Sequence, residues 1–436
     1  MNPGSHRTTS RWRKVTARML AVFAKPVREA PSVDGIAITA NRGYGSRTEI
    51  FCIGRVFRQS AKPKRRANPN SILDQLREVG RRITRQSLPD VVVTAEFYGS
   101  EERVKTDGDG YFRIHMRPRS TPPSDALWHT VEIGMQSPQA VRTQAEVFIP
   151  SERCRYVVIS DIDDTIMKTG VANKLVMLWR LFVADAASRE AFPGVGALYR
   201  ALYSGISGDE SNPMLYVSRA PWGIYEVIEE FFRRQNIPIG PILFLREWGI
   251  SWTSPLPRKA EDHKRDLIRN MLELYQDLPF VLIGDSGQHD PEIYHKIVAE
   301  HPNRVLAVYI RNVSRRPERI QEIEKLAAAV LEAGSSMVLA ADSLAMAEHA
   351  VGLGLITPKA PTEIAAEIAD ADVKRGLPAG ESTDRPSVEA PPQNVAQDDL
   401  KGILQEGSKT PNVVIGKTGK PPRKKKKKKR SHGKAD

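Results

Sequence analysis

The stretch YVVISDIDDT, residues 156–165, joins a short run of β-branched and aromatic residues to a cluster of carboxylates. Such a run predicts a buried strand, and the carboxylates then lie at its carboxyl end. Ligand sites in an open parallel sheet form where strands end in this way. The stretch therefore predicts both the central strand of a sheet and the place of a functional site.

Strand and helix patterns alternate from this stretch to residue 357. Short apolar runs are separated by longer segments with helical spacing. Alternation at these lengths predicts an α/β domain over 151–357 that is built on a doubly wound parallel sheet. The predicted strands are Tyr156–Ser160, Met214–Ser218, Ile242–Leu245, Phe280–Ile283, Arg304–Ile310 and Met337–Ala340. The predicted helices are Gly223–Arg234, Lys259–Tyr275, Pro291–Glu300, Pro317–Ala333 and Leu344–Leu353.

Residues 33–150 show a different pattern, with short runs that are rich in β-branched and aromatic residues. They resemble an immunoglobulin-like β-sandwich placed before the α/β domain. A polar stretch, 60–85, interrupts the strands and predicts a helix over Ser71–Arg85. The predicted strands are Ile36–Thr39, Ile50–Val56, Val91–Tyr98, Tyr111–Met116, His129–Met135 and Ala145–Ile149.

The segment TDGDGYF, residues 106–112, predicts a hairpin turn between two of these strands. Its two aspartates also invite the hypothesis of a calcium loop. An EF-hand loop needs a Glu at a fixed distance after them, and none stands there. The turn is therefore the favoured interpretation.

The net charge of +13 is concentrated at the two ends of the chain. Residues 1–30 contain seven Lys or Arg and one acid, and residues 401–436 contain 13 Lys or Arg and two acids. A globular nucleic-acid-binding domain carries its basic residues on its own surface. The nearly neutral body, 31–360, argues against such a domain.

Both charged ends predict contacts with polyanions. Residues 1–32 predict a basic amphipathic arm. It could bind an anionic membrane surface, pack on the body, form a frayed terminus or serve as a transit peptide. Residues 358–436 predict a disordered tail, and 423–430 in it are all basic. An anionic membrane is the favoured partner of the tail, and nucleic acid stays an alternative.

The sequence favours a cytoplasmic protein, peripheral to a membrane at most. It contains two cysteines, which is too few for a disulfide framework. Its apolar runs are shorter than the ~18 residues that a membrane-spanning helix needs. The first residues lack the apolar core of a secretory signal.

Reactive residues follow three of the predicted strands, and a lysine lies in the helix before the fourth strand. Each residue alone has an ordinary alternative, such as a helix cap, a loop acid or a solvated surface charge. Together, in this order, they predict a site at one edge of the sheet. The candidate residues are Asp161, Asp163, Ser218, Lys264, Asp285 and Asp290.

The pattern Asp-x-Asp-x-Thr, a strand-end Ser, a Lys and Gly-Asp-x-x-x-x-Asp resembles the haloacid dehalogenase (HAD) phosphatase superfamily. Longer strings sharpen this resemblance to one branch, the catalytic domain of the actin-patch-type phosphatidate phosphatases, which is related to the lipin domain. The resemblance covers about residues 150–312. The strings are SDIDDTI (160–166), SRAPWGIY (218–225), HK (263–264) and GDSGQHDPEIY (284–294).

The resemblance implies Mg²⁺-dependent hydrolysis of phosphatidate, a phospholipid, to diacylglycerol. Asp161 would be the nucleophile that forms an aspartyl phosphate, and Asp163 would act as general acid and base. Ser218 and Lys264 would hold the phosphate oxygens. The metal site would consist of Asp161, Asp163 through its carbonyl, Asp285 and Asp290, the last of which would bind through water or support the other ligands.

Two further residues, Thr165 and Arg219, are candidates for substrate binding, with structural roles as the alternative. The GDSG string at 284–287 also matches the surroundings of a serine-protease nucleophile. Those proteases are β-barrels, so a match that follows an α/β strand is accidental. Two functional alternatives stay open: a HAD phosphatase for another phosphorylated metabolite or polymer, and an inactive lipid-binding adaptor.

Overall fold

The computed structural model describes most of the two predicted domains. The described residues are 32–33, 35–58, 86–162, 192–219, 225–245, 260–314 and 316–375. The predicted N-terminal arm, the helix predicted over Ser71–Arg85 and the basic run 423–430 lie outside them. The architecture is mixed α/β, with one mostly antiparallel sheet and one parallel sheet.

The first sheet has ten strands, and its neighbours are antiparallel except for one parallel pair, β3 with β10. These strands are β1 (Ser32–Val33), β2 (Ile36–Ala40), β3 (Gly43–Gly45), β4 (Ile50–Arg58), β5 (Gln86–Ser87), β6 (Val92–Phe97), β7 (Ser100–Lys105), β8 (Tyr111–Met116), β9 (Trp128–Met135) and β10 (Val141–Phe148). Buried and exposed residues alternate along β8 and β9. The buried side chains join one apolar cluster that includes Val93, Phe112 and Ile133.

The turn at residues 106–112 is confirmed, but the predicted hairpin is wrong. The carboxylate of Asp107 accepts hydrogen bonds from the backbone N–H of Asp109, at 3.0 Å, and of Tyr111, at 2.9 Å. The turn joins β7 to β8, yet β7 pairs with β6 and β8 pairs with β4. Strand β7 was not predicted, because its side chains are mostly charged and exposed and give the strand no apolar face.

The hairpin lies one turn earlier, between β6 and β7. Tyr98 and Gly99 occupy its two central positions with φ of 41° and 79°. Positive φ at both positions is typical of the tight turns that match the twist of paired strands.

The second sheet has six parallel strands in the order β13-β12-β11-β14-β15-β16. They are β11 (Val157–Asp161), β12 (Met214–Ser218), β13 (Ile242–Phe244), β14 (Phe280–Asp285), β15 (Val305–Arg311) and β16 (Ser336–Ala340). The chain runs outward from β11 to one edge, returns to β14 beside β11, and runs outward to the other edge. Each of these strands was predicted, because strands that are buried on both faces read as continuous apolar runs.

Helices cover both faces of this sheet. They are α1 (Val195–Ser204), α2 (Tyr225–Arg234), α3 (Ala260–Leu274), α4 (Asp290–Glu300), α5 (Pro317–Glu332), α6 (Ser343–Gly352) and α7 (Ala360–Arg375). Buried residues of α1, α2, α6 and α7 share one apolar cluster with Val158 of β11. Buried residues of α3, α4 and α5 share a second cluster with Val157 and Ile159 of the same strand.

The boundary predicted at residue 357 is too early. The tail was expected to lack structure from residue 358, but α7 continues the fold to Arg375. Ala360 and Ile364 of this helix are buried, and they join the cluster that contains α1. The prolines and acids around this segment are typical of a disordered tail. Its short apolar stripe was therefore not interpreted as a helix face. Residues 376–436 lie outside the described part of the chain.

In the part of the chain that the structure describes, each helix is too short or too polar to cross a bilayer.

A partly buried arginine, Arg42, which lies between β2 and β3, links the first sheet to helix α2. Its guanidinium lies 2.9 Å from a carboxylate oxygen of Glu146 on β10 and also bonds Glu229 on α2. Its backbone N–H donates to the hydroxyl of Tyr225, at 3.2 Å. The first sheet therefore contacts the helix that follows strand β12.

We expect Arg42→Ala to lower the free energy of unfolding by about 1–3 kcal/mol, because two carboxylates lose a partly buried partner. Arg47→Ala is the matched control, since Arg47 pairs with Glu152 at 3.3 Å on the exposed surface. Its effect should stay within about 0.5 kcal/mol. Urea unfolding of both variants measures the difference in stability. Equal midpoints would show that the Arg42 pairs do not stabilise the contact between the first sheet and α2.

Candidate active site

The candidate site lies where the order of the parallel strands reverses. β11 and β14 are neighbours, and the chain leaves them toward opposite edges of the sheet. The crevice beyond the carboxyl ends of two such strands is where open α/β sheets bind ligands. Asp161 ends β11 and Asp285 ends β14, so the topology brings these two carboxylates together.

Three carboxylates meet in this crevice. One oxygen from each of Asp161, Asp285 and Asp290 lies within 4.8 Å of the others. All three residues are buried, with relative exposures of 1%, 0% and 0%. Three like charges at this spacing repel one another strongly inside a protein, so the cluster needs positive charge beside it.

Lys264 of α3 supplies part of that charge. Its ammonium lies 2.6 Å from an oxygen of Asp290 and 3.5 Å from an oxygen of Asp161. Burial opposes the charge of this fully buried side chain, but the two carboxylates outweigh it and raise the pKa of Lys264. The charge of Arg219 acts in the opposite direction. Lys264 therefore stays protonated between two members of the cluster.

Gln288 connects the two strand-end carboxylates. Its side-chain amide donates hydrogen bonds to Asp285, at 2.7 Å, and to Asp161, at 3.2 Å. Sequence analysis missed this residue, although it stands between Asp285 and Asp290 in a motif that was quoted. An amide carries no charge, so only its place three residues after a strand-end Asp signals the role.

The loop after β14 fixes Asp285 and Asp290 through its backbone. The N–H of Gly287 donates to Asp285, at 2.7 Å, and the N–H of Asp285 donates to Asp290, at 3.2 Å. A Cβ at Gly284 would lie 2.7 Å from the Cβ of Asp290, closer than real side chains approach. The carboxylate of Asp290 therefore reaches the cluster only because residue 284 lacks a side chain.

The remaining predicted site residues fall into two groups. Ser218 is buried at the end of β12, which is the neighbour of β11 in the sheet, and Arg219 follows it half-buried. Asp163 and Thr165 lie outside the described residues. The structure thus brings together Asp161, Lys264, Asp285 and Asp290 by direct contacts, and it places Ser218 at the same edge of the sheet.

The donor set fits a hard divalent cation. Mg²⁺ prefers carboxylate oxygens and binds through a small number of them, completed by waters and substrate phosphate. The cluster offers three carboxylates and one lysine charge, so an ion would reduce its excess of negative charge. Asp161, Asp285 and Asp290 are the described residues that could hold it.

We expect Gly284→Ala to push Asp290 out of the cluster, because the new methyl group would overlap it. Overpacking of this kind costs about 1–3 kcal/mol of unfolding free energy, and the affinity for Mg²⁺ should fall with it. Gly352→Ala is the matched control, since a Cβ there meets nothing within 4 Å. Thermal unfolding and Mg²⁺ titration of both variants test this. Wild-type Mg²⁺ affinity in Gly284→Ala would contradict it.

Comparison with known proteins identifies the segment that carries the site. Residues 156–312 match the family model described as phosphatidate phosphatase APP1, catalytic domain. The "Phosphatidate phosphatase APP1" of Saccharomyces cerevisiae is 30% identical over 225 residues, which are 50% of this chain and 35% of that protein. An uncharacterized protein of Schizosaccharomyces pombe is 28% identical over 157 residues, which are 36% of this chain and 25% of that protein.

The match is therefore confined to a part of each relative, about a third of the first protein's length and a quarter of the second's. Among solved structures, a carbohydrate acetylesterase from Xanthomonas citri overlaps 66% of this chain and 72% of its own, with 10% identity and a TM-score of 0.23. That score does not indicate a common fold. The family predicted from the motifs is confirmed: residues 156–312 match the catalytic domain of the APP1 phosphatidate phosphatases.

Proposed function

We propose that this protein is a Mg²⁺-dependent phosphatase of the HAD type. Its substrate would be phosphatidate or a similar phosphomonoester lipid, and its products diacylglycerol and inorganic phosphate. One observation carries the proposal: the buried cluster of Asp161, Asp285 and Asp290 beside Lys264, inside the segment that matches the family.

Asp161 is the proposed nucleophile, because it ends the central strand β11 with its carboxylate in the crevice. Its oxygen would attack phosphorus and form an aspartyl phosphate while the bond to the glycerol oxygen breaks. Asp163 would give a proton to that oxygen. A carboxylate nucleophile divides one difficult displacement into two easier ones.

In the second step Asp163 would take a proton from water, and the water oxygen would attack the phosphorus of the intermediate. The bond from phosphorus to Asp161 then breaks, which restores the carboxylate and releases phosphate. The same side chain thus acts first as acid and then as base.

Lys264 and Ser218 would bind the oxygens of the phosphoryl group. Lys264 is already charged in the crevice, so it needs no reorganisation when negative charge arrives. A bound Mg²⁺ would neutralise charge on the transferring group. Asp285 and Asp290 would hold that ion together with Asp161 and, by family resemblance, the backbone carbonyl of Asp163. Thr165 and Arg219 keep their proposed places in substrate binding.

The cost of burying the cluster favours an enzyme over an inactive lipid-binding adaptor. Removing ionised carboxylates from water is expensive unless they are paired or bind metal. Binding of a phosphate headgroup requires positive charge, and Asp161 and Asp285 add negative charge to the pocket. The cluster is therefore better explained by the chemistry that it would perform.

The remaining parts of the chain receive narrower proposals. Residues 33–150 would form an immunoglobulin-like β-sandwich domain. The basic ends, 1–30 and 401–436, would bring a cytoplasmic enzyme to an anionic membrane surface, where its phospholipid substrate resides. Contact of the tail with nucleic acid is the competing proposal, and loss of vesicle binding on deletion of the tail separates the two.

A panel assay tests the substrate class. Phosphate release is measured with Mg²⁺ from phosphatidate in mixed micelles, from sugar phosphates and from phosphopeptides, and again with excess chelator. We expect phosphatidate to be the preferred substrate and the chelator to abolish release. Release from sugar phosphates or phosphopeptides alone would instead establish a phosphatase for another metabolite or polymer.

We expect Asp161→Asn to lower phosphate release by about 10³-fold or more, because an amide cannot act as the nucleophile. Asp209→Asn is the matched control, since Asp209 is exposed and pairs only with Arg153 at the surface among the contacts described. Circular dichroism of both variants checks the fold. Wild-type turnover by folded Asp161→Asn would overturn the proposed mechanism.

We expect Asp163→Asn to lose most activity, because the attack by Asp161 loses its acid and the hydrolysis of the intermediate, which is slowed more, loses its base. Labelled phosphate from the substrate should therefore stay on the protein after denaturation. Treatment with hydroxylamine should release the label, since it cleaves acyl phosphates. Multiple turnovers at the wild-type rate by this variant would remove Asp163 from the role of acid and base.

A further inference from the structure

The loop that follows β14 is held from outside the segment that matches the family. Arg319 lies on α5, after residue 312, and its side chain is 10% exposed. Its guanidinium donates to the backbone carbonyl of Ser286, at 3.0 Å, and to that of Gln288, at 2.7 Å. It also forms a two-point ion pair with the carboxylate of Glu292 on α4.

These contacts are made with the backbone that directly follows Asp285 in sequence. Ser286 and Gln288 flank Gly287, whose N–H orients the carboxylate of Asp285. The side chain of Gln288 extends to Asp161 and Asp285. A rigid fork of N–H groups that holds two alternate carbonyls fixes the peptide planes between them. Arg319 therefore bonds the two carbonyls on either side of the N–H that orients Asp285.

We propose that Arg319 is a positioning residue for the divalent-cation site: it fixes the backbone of 286–288 so that Asp285 and Gln288 face Asp161. The assignment rests on the proposed function in one respect, namely that a cation binds to the carboxylate cluster. Residues that orient metal ligands from behind typically change metal affinity by about 10–100-fold when they are removed.

The sign of the effect separates positioning from simple electrostatics. Removal of Arg319 would leave Glu292 with unbalanced negative charge near the site. Charge alone would then attract a cation more strongly and tighten its binding. Loss of the loop geometry has the opposite effect, because the carboxylates no longer converge. Weaker cation binding by Arg319→Ala is therefore the specific expectation of the proposal.

The matched control is Arg269→Ala. Arg269 on α3 also bonds a glutamate of α4 through two guanidinium nitrogens, Glu300, at 3.0 and 2.6 Å. Glu300 is at the far end of α4 from the loop. This variant loses a guanidinium–carboxylate pair of the same kind without touching the carbonyls of 286–288.

The first experiment measures Mg²⁺ and Mn²⁺ binding to the full-length protein by calorimetry, and the metal concentration for half-maximal phosphate release. We expect Arg319→Ala to weaken both by about tenfold or more, with the rate at saturating metal largely restored. Arg319→Lys should recover only part of this, because an ammonium lacks the planar fork. Arg269→Ala should match the wild type. Unchanged or tighter binding by folded Arg319→Ala would overturn the proposal.

The second experiment is independent of metal and of activity. Hydrogen exchange is followed for the amides of Asp285, Ser286 and Gly287 in protein that is treated with chelator. We expect faster exchange at these amides in Arg319→Ala and wild-type exchange in Arg269→Ala. Unchanged exchange would overturn the proposal. If the wild-type protein binds neither Mg²⁺ nor Mn²⁺ and exchange is still faster in Arg319→Ala, Arg319 fixes the loop. The Mg²⁺ dependence of the proposed function would then be refuted instead.

Discussion

The convergence of Asp161, Asp285 and Asp290 within 4.8 Å is the constraint on which the rest of the site depends. Buried carboxylates at this distance repel one another, and they stay together only if the surrounding chain forces and balances them. Lys264 balances part of the charge through contacts of 2.6 and 3.5 Å. The missing side chain at Gly284 makes room for the third carboxylate. The lysine thus offsets the repulsion, and the glycine leaves the space in which the third carboxylate lies.

Sequence patterns predict the fold and the strand-end residues because both follow from local rules. Strands buried on two faces are apolar throughout, and parallel strands expose their carboxyl ends at one edge. The positions of Asp161, Ser218 and Asp285 follow from these rules once the strands are placed. The place of Lys264 in the site could not be predicted from these rules, because a helical pattern does not show which way one lysine side chain points. The family motif supplied the assignment of Lys264 to the site.

Other features were missed because no strong pattern in the sequence marks them. Gln288 contacts Asp161, 127 residues earlier, through a neutral amide, and Arg319 bonds the loop from a helix more than thirty residues after Asp285. Strand β7 has exposed charged side chains, so its pairing with β6 leaves no apolar pattern. Helix α7 buries Ala360 and Ile364 in the cluster that contains α1, and its one proline and its acids resemble those of a tail.

The family motif is also incomplete as a description of this site. Two arginines outside residues 156–312 contact elements that follow the strands of the site. Arg42, from the first sheet, bonds Tyr225 and Glu229 at the start of α2, the helix that follows the strand of Ser218. Arg319, from α5, holds the loop that follows the strand of Asp285. The motif therefore specifies which groups meet, while the chain around it specifies how firmly they are held. A catalytic segment transferred without these two arginines would keep the carboxylates but lose the contacts of Arg42 with α2 and of Arg319 with the loop after β14.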